Sequence, residues 1–473
     1  MADGALWGVD ELLAATGGTL EGTVSAGLNG VAIDSRSIMA GDIFMAIRGD
    51  RTDGHEYAAA ALDAGAGLAI VSRTDDAMRA AGPLLVVPDV LKALEAMGRV
   101  ARDRVTGKVI AVTGSVGKTT TKDALKVALS ACGPTHAAVS SFNNHWGVPL
   151  TLARMPRHTL YGVIEVGMNH AGEIETLIDM VKPHVAIITT VAESHLGHFE
   201  SLDQIADAKG EIFTGVVPGG VALVNRDNQY FEKLVGIAAA NGITDIRSFG
   251  EAPEADIRLE RFTLHDECSS MTATVGGELV TCKVGAPGRH VVQNVLAVLG
   301  ACEAVGADLA RCALALADIA PPSGRGVRHK LKADSVAVTL IDESYNANPA
   351  SMRAALAMLG NTDPAGRGRR IAVLGDMLEL GVHSAKLHAG LVEAVEAAGT
   401  DKVFACGPEM AAMWAELPDA LKGSYTAASA ELIEPLLGSI QTGDVIMVKG
   451  SLGSRMGPVV QAIIKKYGGG AGA

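Results

Sequence analysis

The segment at 109–120 constrains this chain more than any other, because in it a buried strand runs straight into a glycine turn and then a helix. Residues 109–112 are apolar and mostly β-branched, and residues 121–130 carry helix formers with apolar residues at helical spacing. Between them stands Thr113-Gly114-Ser115-Val116-Gly117-Lys118-Thr119-Thr120. A strand that feeds a helix in this way begins a parallel crossover unit, and parallel strands need helices on both faces of their sheet. The expected fold class is therefore α/β. Gly114 and Gly117 let the backbone turn its N–H groups toward a phosphate at the positive end of the helix. Lys118 would reach the terminal phosphates, and the Thr119 hydroxyl would face Mg²⁺. Val112 stands where the general phosphate-loop pattern has its first glycine, leaving the shorter T-G-x-x-G-K-T. ATP and Mg²⁺ are the expected cofactors.

At 473 residues the chain has room for about three domains, and 48% hydrophobic content supplies their cores. No apolar run approaches the ~18 residues that span a bilayer, and the first residues lack the basic and apolar blocks of a signal peptide. A cytoplasmic enzyme without membrane insertion is expected, as a monomer. The formal charge of −13 argues against nucleic acid as a partner, because phosphate-backbone binding wants a basic face. A nucleotide needs only a few local cations and amides. The six cysteines, at 132, 268, 282, 302, 312 and 406, are scattered without a C-x-x-C. They read as small core residues rather than a disulfide or metal framework. The Gly-rich tail at 468–473 is set aside from function.

Three blocks follow one another. Residues 1–88 mix a helix at 9–16 with short strands at 30–33, 42–47, 68–71 and 84–87, a small α/β domain. Its polar signature, Asp34-Ser35-Arg36 and Asp53-Gly54-His55, falls at strand ends, where ordinary turn chemistry and ligand contacts both occur. Residues 89–327 form the central block, with a helix at 91–105, the phosphate loop, and strands at 160–166, 185–191 and 221–224. This alternation predicts a mostly parallel, ATPase-like sheet with ligands at the carboxyl ends of its strands. Residues 328–473 repeat the pattern with strands at 337–341, 371–374, 402–405 and 445–448, and helices at 349–359 and 384–398. That block reads as Rossmann-like, but no G-x-G-x-x-G follows its first strand, so no nicotinamide site is expected.

Several side chains sit where a purely structural sequence would not put them. Glu165 interrupts a run fit for a buried strand, so its carboxylate must meet a cation: a structural ion pair or, with Thr119, Mg²⁺. Lys209 falls on the apolar stripe of Leu202, Ile205, Ala206, Ile212, Phe213 and Val216, where a lysine is functional or else snorkels its amine to water. His195 either ligates metal or caps its loop. Asp342 ends a strand, and Tyr345, Asn346 and Asn348 form a polar loop before a helix, suited to turn-making or to a base or substrate contact. Lys449 and Ser451 close the last strand and would face phosphates across a cleft.

In this order the segments resemble those of the Mur ligases, ATP-dependent amide-bond-forming enzymes of peptidoglycan precursor synthesis. The resemblance covers essentially the whole chain: the short phosphate loop, the E-x-G at 165–167, the His195 loop and Ala208-Lys209-Gly210-Glu211-Ile212. It implies that Asn294 lies near adenine, that Arg325 and Asp342 serve the phosphate and nucleotide sides, and that Lys209 is carbamylated. It also implies two Mg²⁺ ions, with Thr119, Glu165 and His195 as metal-side residues and Lys118, Glu165, His195 and Lys209 as the catalytic set. Within the family, the stretch from Asn143 and Asn144 to Pro149, the Asp342 to Met352 loop and residues 373–381 are similar to the member that adds D-alanyl-D-alanine. The D-N-P-R motif of the diaminopimelate-adding enzyme is absent. Ser35, Arg36, Asp53 and His55 are similar to residues that hold the UDP-sugar end. Val291, Ser194, Leu452 and Gly457 depart from the family pattern.

The resemblance implies that ATP phosphorylates the terminal carboxylate of a UDP-N-acetylmuramoyl-tripeptide, and that the D-alanyl-D-alanine amine attacks the acyl phosphate. Two other readings stay open: a related ligase adding a single amino acid, such as diaminopimelate or lysine, or glutamate to a folate; and a nucleotide-dependent switch or binding module.

Overall fold

A computed structural model describes residues 5–468 except 26, 50, 51, 195, 322 and 334. Three sheets follow one another along the chain. The first has five strands in the order Thr19–Glu21, Leu84–Val86, Leu68–Val71, Asp42–Met45, Gly30–Ala32. Its last four are parallel, and Thr19–Glu21 pairs antiparallel at the edge. That edge strand escapes sequence reading because it is three residues long and none of it is fully buried.

The second sheet has nine strands and carries the phosphate loop. Lys108–Thr113 (β1) lies between Tyr161–Glu165 (β2) and Val185–Ile188 (β3), parallel to both. Alternate residues of a strand face opposite sides. Ile110, Val112, Val163 and Ile187 pack into one core with Leu125 of helix Lys118–Ser130 (α1), while Val109, Ala111, Ile164 and Ile188 pack into another. Both faces are thus covered, as the unbroken apolar run of β1 requires. The strand read over 185–191 stops at Ile188, and residues 189–192 lie instead along the phosphate loop.

Ile257–Leu264 still pairs parallel with Asp245–Gly250, and beyond it this sheet turns antiparallel, through Ser269–Val275 and Glu278–Val284. The reading of a mostly parallel sheet missed this extension. Its signal was nonetheless present: Gly276-Gly277, at φ +56° and +82°, closes a two-residue hairpin between Val275 and Glu278. Helices Arg289–Ala304 (α2) and Leu309–Ala315 (α3) then pack against α1.

The third sheet has six strands, in the order Val327–Ala333, Val336–Glu343 (β4), Val445–Lys449, Arg370–Gly375, Lys402–Cys406, Lys422–Thr426. All neighbours are parallel except the first pair. Helix Pro349–Gly360 (α4) follows β4. The single helix read over 384–398 is two helices, Ser384–Ala389 and Val392–Ala397. The break falls at Gly390, a poor helix residue, and Leu391 N–H reaches only to His388 O in a tighter turn. No described helix is long and apolar enough to cross a membrane.

Candidate nucleotide site

The phosphate loop is held by contacts that leave it little freedom. Gly114 has φ +146°, and a Cβ there would lie 1.9 Å from Thr189 Oγ1; at Gly117, φ +89°, a Cβ would fall 2.6 Å from Asn294 Oδ1. No larger side chain fits either position without displacing a neighbour. Ser115 N donates to Thr190 O (2.8 Å), and Ser115 Oγ donates to Ala192 O (2.9 Å) while accepting from Ala192 N (3.0 Å). Thr189 Oγ1 donates to Val116 O at 2.6 Å. Lys118 opens α1 and its Nζ donates to Gly114 O at 2.6 Å. Burial lowers the Lys118 pKa, against the nearby Glu165 carboxylate, which raises it.

Beside the loop, Glu165 ends β2 at 1% exposure. Its Oε1 accepts from Thr119 Oγ1 (3.2 Å) and Asn143 Nδ2 (2.7 Å), but its Oε2 is buried with no hydrogen-bond partner among the described residues. Ser194 Oγ, which lines the same cavity, is likewise buried with no partner among the described residues. An orphaned carboxylate oxygen beside a threonine hydroxyl is an oxygen donor set of the kind a hard cation takes, with phosphate and water completing the shell. Among the described residues no group of three or more His, Cys, Asp or Glu could hold a metal. His195 lies outside the described residues.

Lys209, on helix Leu202–Gly210, is 2% exposed and makes no hydrogen bond or ion pair among the described residues. It does not snorkel. Burial pushes its pKa well down and the charge of Lys118 lowers it further, both disfavouring the ammonium form. It does not itself line the cavity.

That cavity, about 590 Å³, opens between the second and third sheets. Residues 115–120, Asn143, Asn144, Glu165 and Asn294 line one side; Arg325, Tyr345, Asn346, Asn348, Lys449 and Ser451 line the other. Arg325 lies over the Tyr345 ring, 4.2 Å from its centroid. Asn348 Oδ1 accepts from Ser351 N and Ser351 Oγ accepts from Asn348 N, a capping box at the start of α4. Lys449 Nζ pairs with Glu343 Oε2 and donates to Asn346 O, both at 3.0 Å. Ser451 Oγ donates to Ala347 O and accepts from Leu378 N. Across the gap, Gly197 N donates to Glu379 O at 2.7 Å, joining the loop after His195 to the third unit.

Two groups of expected residues stand apart. Asp342 does not line the cavity; it is buried and accepts from Ser344 N and Oγ. Its neighbour Glu343, on the opposite face of β4, lines the cavity instead. Sequence reading passed over Glu343, and also Ser141, Glu173, His290 and Gln293, which line the same cavity. Ser35, Arg36, Asp53 and His55 lie elsewhere, past the carboxyl ends of the first sheet's parallel strands. There Asp34 pairs with Arg36 at 2.6 Å, which holds its pKa at about 2. Asp53 Oδ1 meets His55 Nδ1 at 2.6 Å, while His55 Nε2 accepts from Ser72 N, so the ring proton sits on Nδ1. Arg73 adds a cation 3.1 Å from Asp53.

Fold and site together define an α/β protein with a phosphate-gripping loop at one wall of an interdomain cavity. Family models match along the chain: the Mur ligase family catalytic domain over residues 28–104, the Mur ligase middle domain over 112–302, and the Mur ligase glutamate ligase domain over 328–452. The chain belongs to the Mur ligase family. It is 34% identical over 455 residues to the UDP-N-acetylmuramoyl-tripeptide–D-alanyl-D-alanine ligase of Rickettsia prowazekii, covering 96% of this chain and 99% of that one. The Escherichia coli enzyme of the same name is 34% identical over 438 residues, covering 92% and 94%. Among solved structures, MurF from Acinetobacter baumannii matches with TM-score 0.84 at 31% identity, covering 97% and 99%. The Thermotoga maritima MurF ligase in complex with ADP shares the fold, with TM-score 0.76 at 24% identity, covering 93% and 98%.

Proposed function

We infer that this chain joins D-alanyl-D-alanine to UDP-N-acetylmuramoyl-tripeptide at the expense of ATP, giving the pentapeptide, ADP and phosphate. The observation that carries this reading is the whole-length similarity to enzymes of that name, 34% identical over 96% of the chain. The three blocks take three tasks: 1–88 holds the UDP-sugar end through Ser35, Arg36, Asp53 and His55; 89–327 holds ATP; 328–473 receives the amine. In this reading the enzyme acts as a monomer in the cytoplasm, where ATP is available.

Phosphoryl transfer asks a protein for positioning and charge neutralisation more than for covalent chemistry. The phosphate-loop amides and Lys118 hold the β- and γ-phosphates at the start of α1. Thr119, Glu165 and His195 would hold Mg²⁺, which supplies positive charge at the phosphate oxygens. Transfer to the tripeptide carboxylate turns a poor leaving group into a good one, and the amine then displaces phosphate. Asn294, whose amide lies against Gly117, would meet the adenine end of the nucleotide. Tyr345, Asn346, Asn348, Lys449 and Ser451 form the facing wall, which receives the acceptor.

Lys209 is carbamylated in this reading. The deprotonated amine of Lys209 would add CO₂ and lose a proton to become an anionic carbamate, giving a partner to Lys118 from a lysine that has none among the described residues. Short carboxylates should restore activity to Lys209→Ala; full activity of that variant without them, or loss that no carboxylate relieves, contradicts carbamylation. The overall assignment is tested by phosphate release with the tripeptide nucleotide plus D-alanyl-D-alanine, D-glutamate, diaminopimelate or nothing. Release should require the dipeptide. Equal release under every condition contradicts a ligase.

A further inference from the structure

Three of the six cysteines meet at one place, away from the nucleotide cavity. Cys132 lies in the turn after α1, Cys302 on α2 and Cys312 on α3, where these helices pack together. Cys132 Sγ is 3.5 Å from Cys312 Sγ, although the two are 180 residues apart in the chain. Cys302 and Cys312 are fully buried, whereas Cys132 is half-buried and reaches the surface. The other three are unlike them. Burial pushes Cys282 up to about 11 and Cys406 up to about 12, and Cys406 faces a methionine sulfur rather than a thiol.

We propose that Cys132 and Cys312 are a reversible dithiol–disulfide site, oxidised by exchange with small-molecule disulfides. A disulfide bond is about 2.05 Å long, so the sulfurs must close by about 1.5 Å. Cys132 can supply that movement because it sits in a surface turn beyond the helix end. The accessible Cys132 thiolate attacks one sulfur of the small disulfide, forming a mixed disulfide and expelling one small thiolate. Cys312 thiolate then attacks the Cys132 sulfur and expels the second. The two protons given up by the cysteines go to the two small thiols released; the protein loses two electrons and the small disulfide gains them. The neighbouring Cys302 thiol pulls Cys312 down to about 7, against burial, which suits Cys312 to the second step. Burial raises Cys132, so the first step is slow.

The bond would staple the end of the phosphate-loop helix to α3. It would close a loop containing most of the second sheet, and a long closed loop restricts the unfolded chain. The test is to incubate the full chain with hydroxyethyl disulfide, block remaining thiols under denaturing conditions, and map the peptides by mass spectrometry. Free thiols should fall from six to four, with residues 132 and 312 joined, and dithiothreitol should restore six. The oxidised protein should unfold at higher urea than the reduced one. Cys132→Ser should abolish both changes, and Cys302→Ala should keep the bond but slow its formation several-fold. Six thiols after treatment, a bond joining any other pair, or an unchanged urea midpoint overturns the proposal.

Discussion

On the phosphate-loop side of the cavity the backbone sets the geometry, whereas on the facing side the work is done by side chains that already hydrogen-bond one another. Gly114 and Gly117 are fixed by positive φ and by what a Cβ would strike, and Ser115 is stitched to residues 190–192. Opposite, Asn348 is occupied in a helix cap and Lys449 in an ion pair with Glu343. A wall made of backbone offers its N–H groups to any phosphate. One made of partnered side chains must keep those partners to stay in shape, so damage there reaches stability before chemistry.

The difference can be broken most severely at Lys118. Lys118→Ala should reduce kcat by on the order of 10³-fold with little change in melting temperature, because it removes charge stabilisation at the transferring phosphate. Phosphate-release kinetics and a thermal melt read the two quantities separately. On the facing wall, Lys449→Met should destabilise the fold by about 3 kcal/mol by leaving Glu343 without its cation, and adding Glu343→Gln should recover part of that loss in urea unfolding. Gly117→Ala should weaken ATP binding by about tenfold, since a left-handed non-glycine residue costs about 1–2 kcal/mol and Asn294 must also give way; calorimetric titration measures it. Asn348→Ala should cost about 1 kcal/mol of stability through the lost cap and should also raise the KM for D-alanyl-D-alanine. An unchanged KM with the stability loss alone would leave Asn348 a helix cap and remove it from the acceptor wall.

The smallest effect concerns pH. His184 Nδ1 accepts from Val109 N at the start of β1, and burial, followed by the charges of Lys108 and Arg102, lowers its pKa from 6.5 to about 4. Above pH 6.5 the ring is neutral folded or unfolded. Between 6.5 and 4 the unfolded chain takes the proton more readily, so stability falls as pH falls; below 4 both states carry it and the loss stops growing. His184→Asn, which keeps an acceptor but takes no proton, should flatten the melting temperature of the native chain across that window. An identical pH profile for both proteins would remove His184 from the account.

What was legible in the sequence follows the same division. The phosphate loop could be read because its requirements are local: strand, glycine, glycine, lysine, helix. Glu165 and Lys209 could be read because each breaks an apolar pattern, and both are buried. Spacing could not show that Asn294 would lie against Gly117, since packing of α2 on α1 brings them together. Nor could it choose between Asp342 and Glu343, where one position along β4 decides which carboxylate meets the cavity. The antiparallel extension was missed although Gly276-Gly277 marked its hairpin, because its strands alternate polar and apolar and were passed over beside the fully apolar ones.

Activation of a carboxylate by ATP, followed by attack of the dipeptide amine, leaves an isotopic trace. UDP-N-acetylmuramoyl-tripeptide carrying ¹⁸O in its terminal carboxylate is supplied with ATP and D-alanyl-D-alanine, and both products are weighed. One ¹⁸O should appear in the released phosphate, with pentapeptide formed in equal amount. Unlabelled phosphate, or phosphate released without pentapeptide, would contradict it.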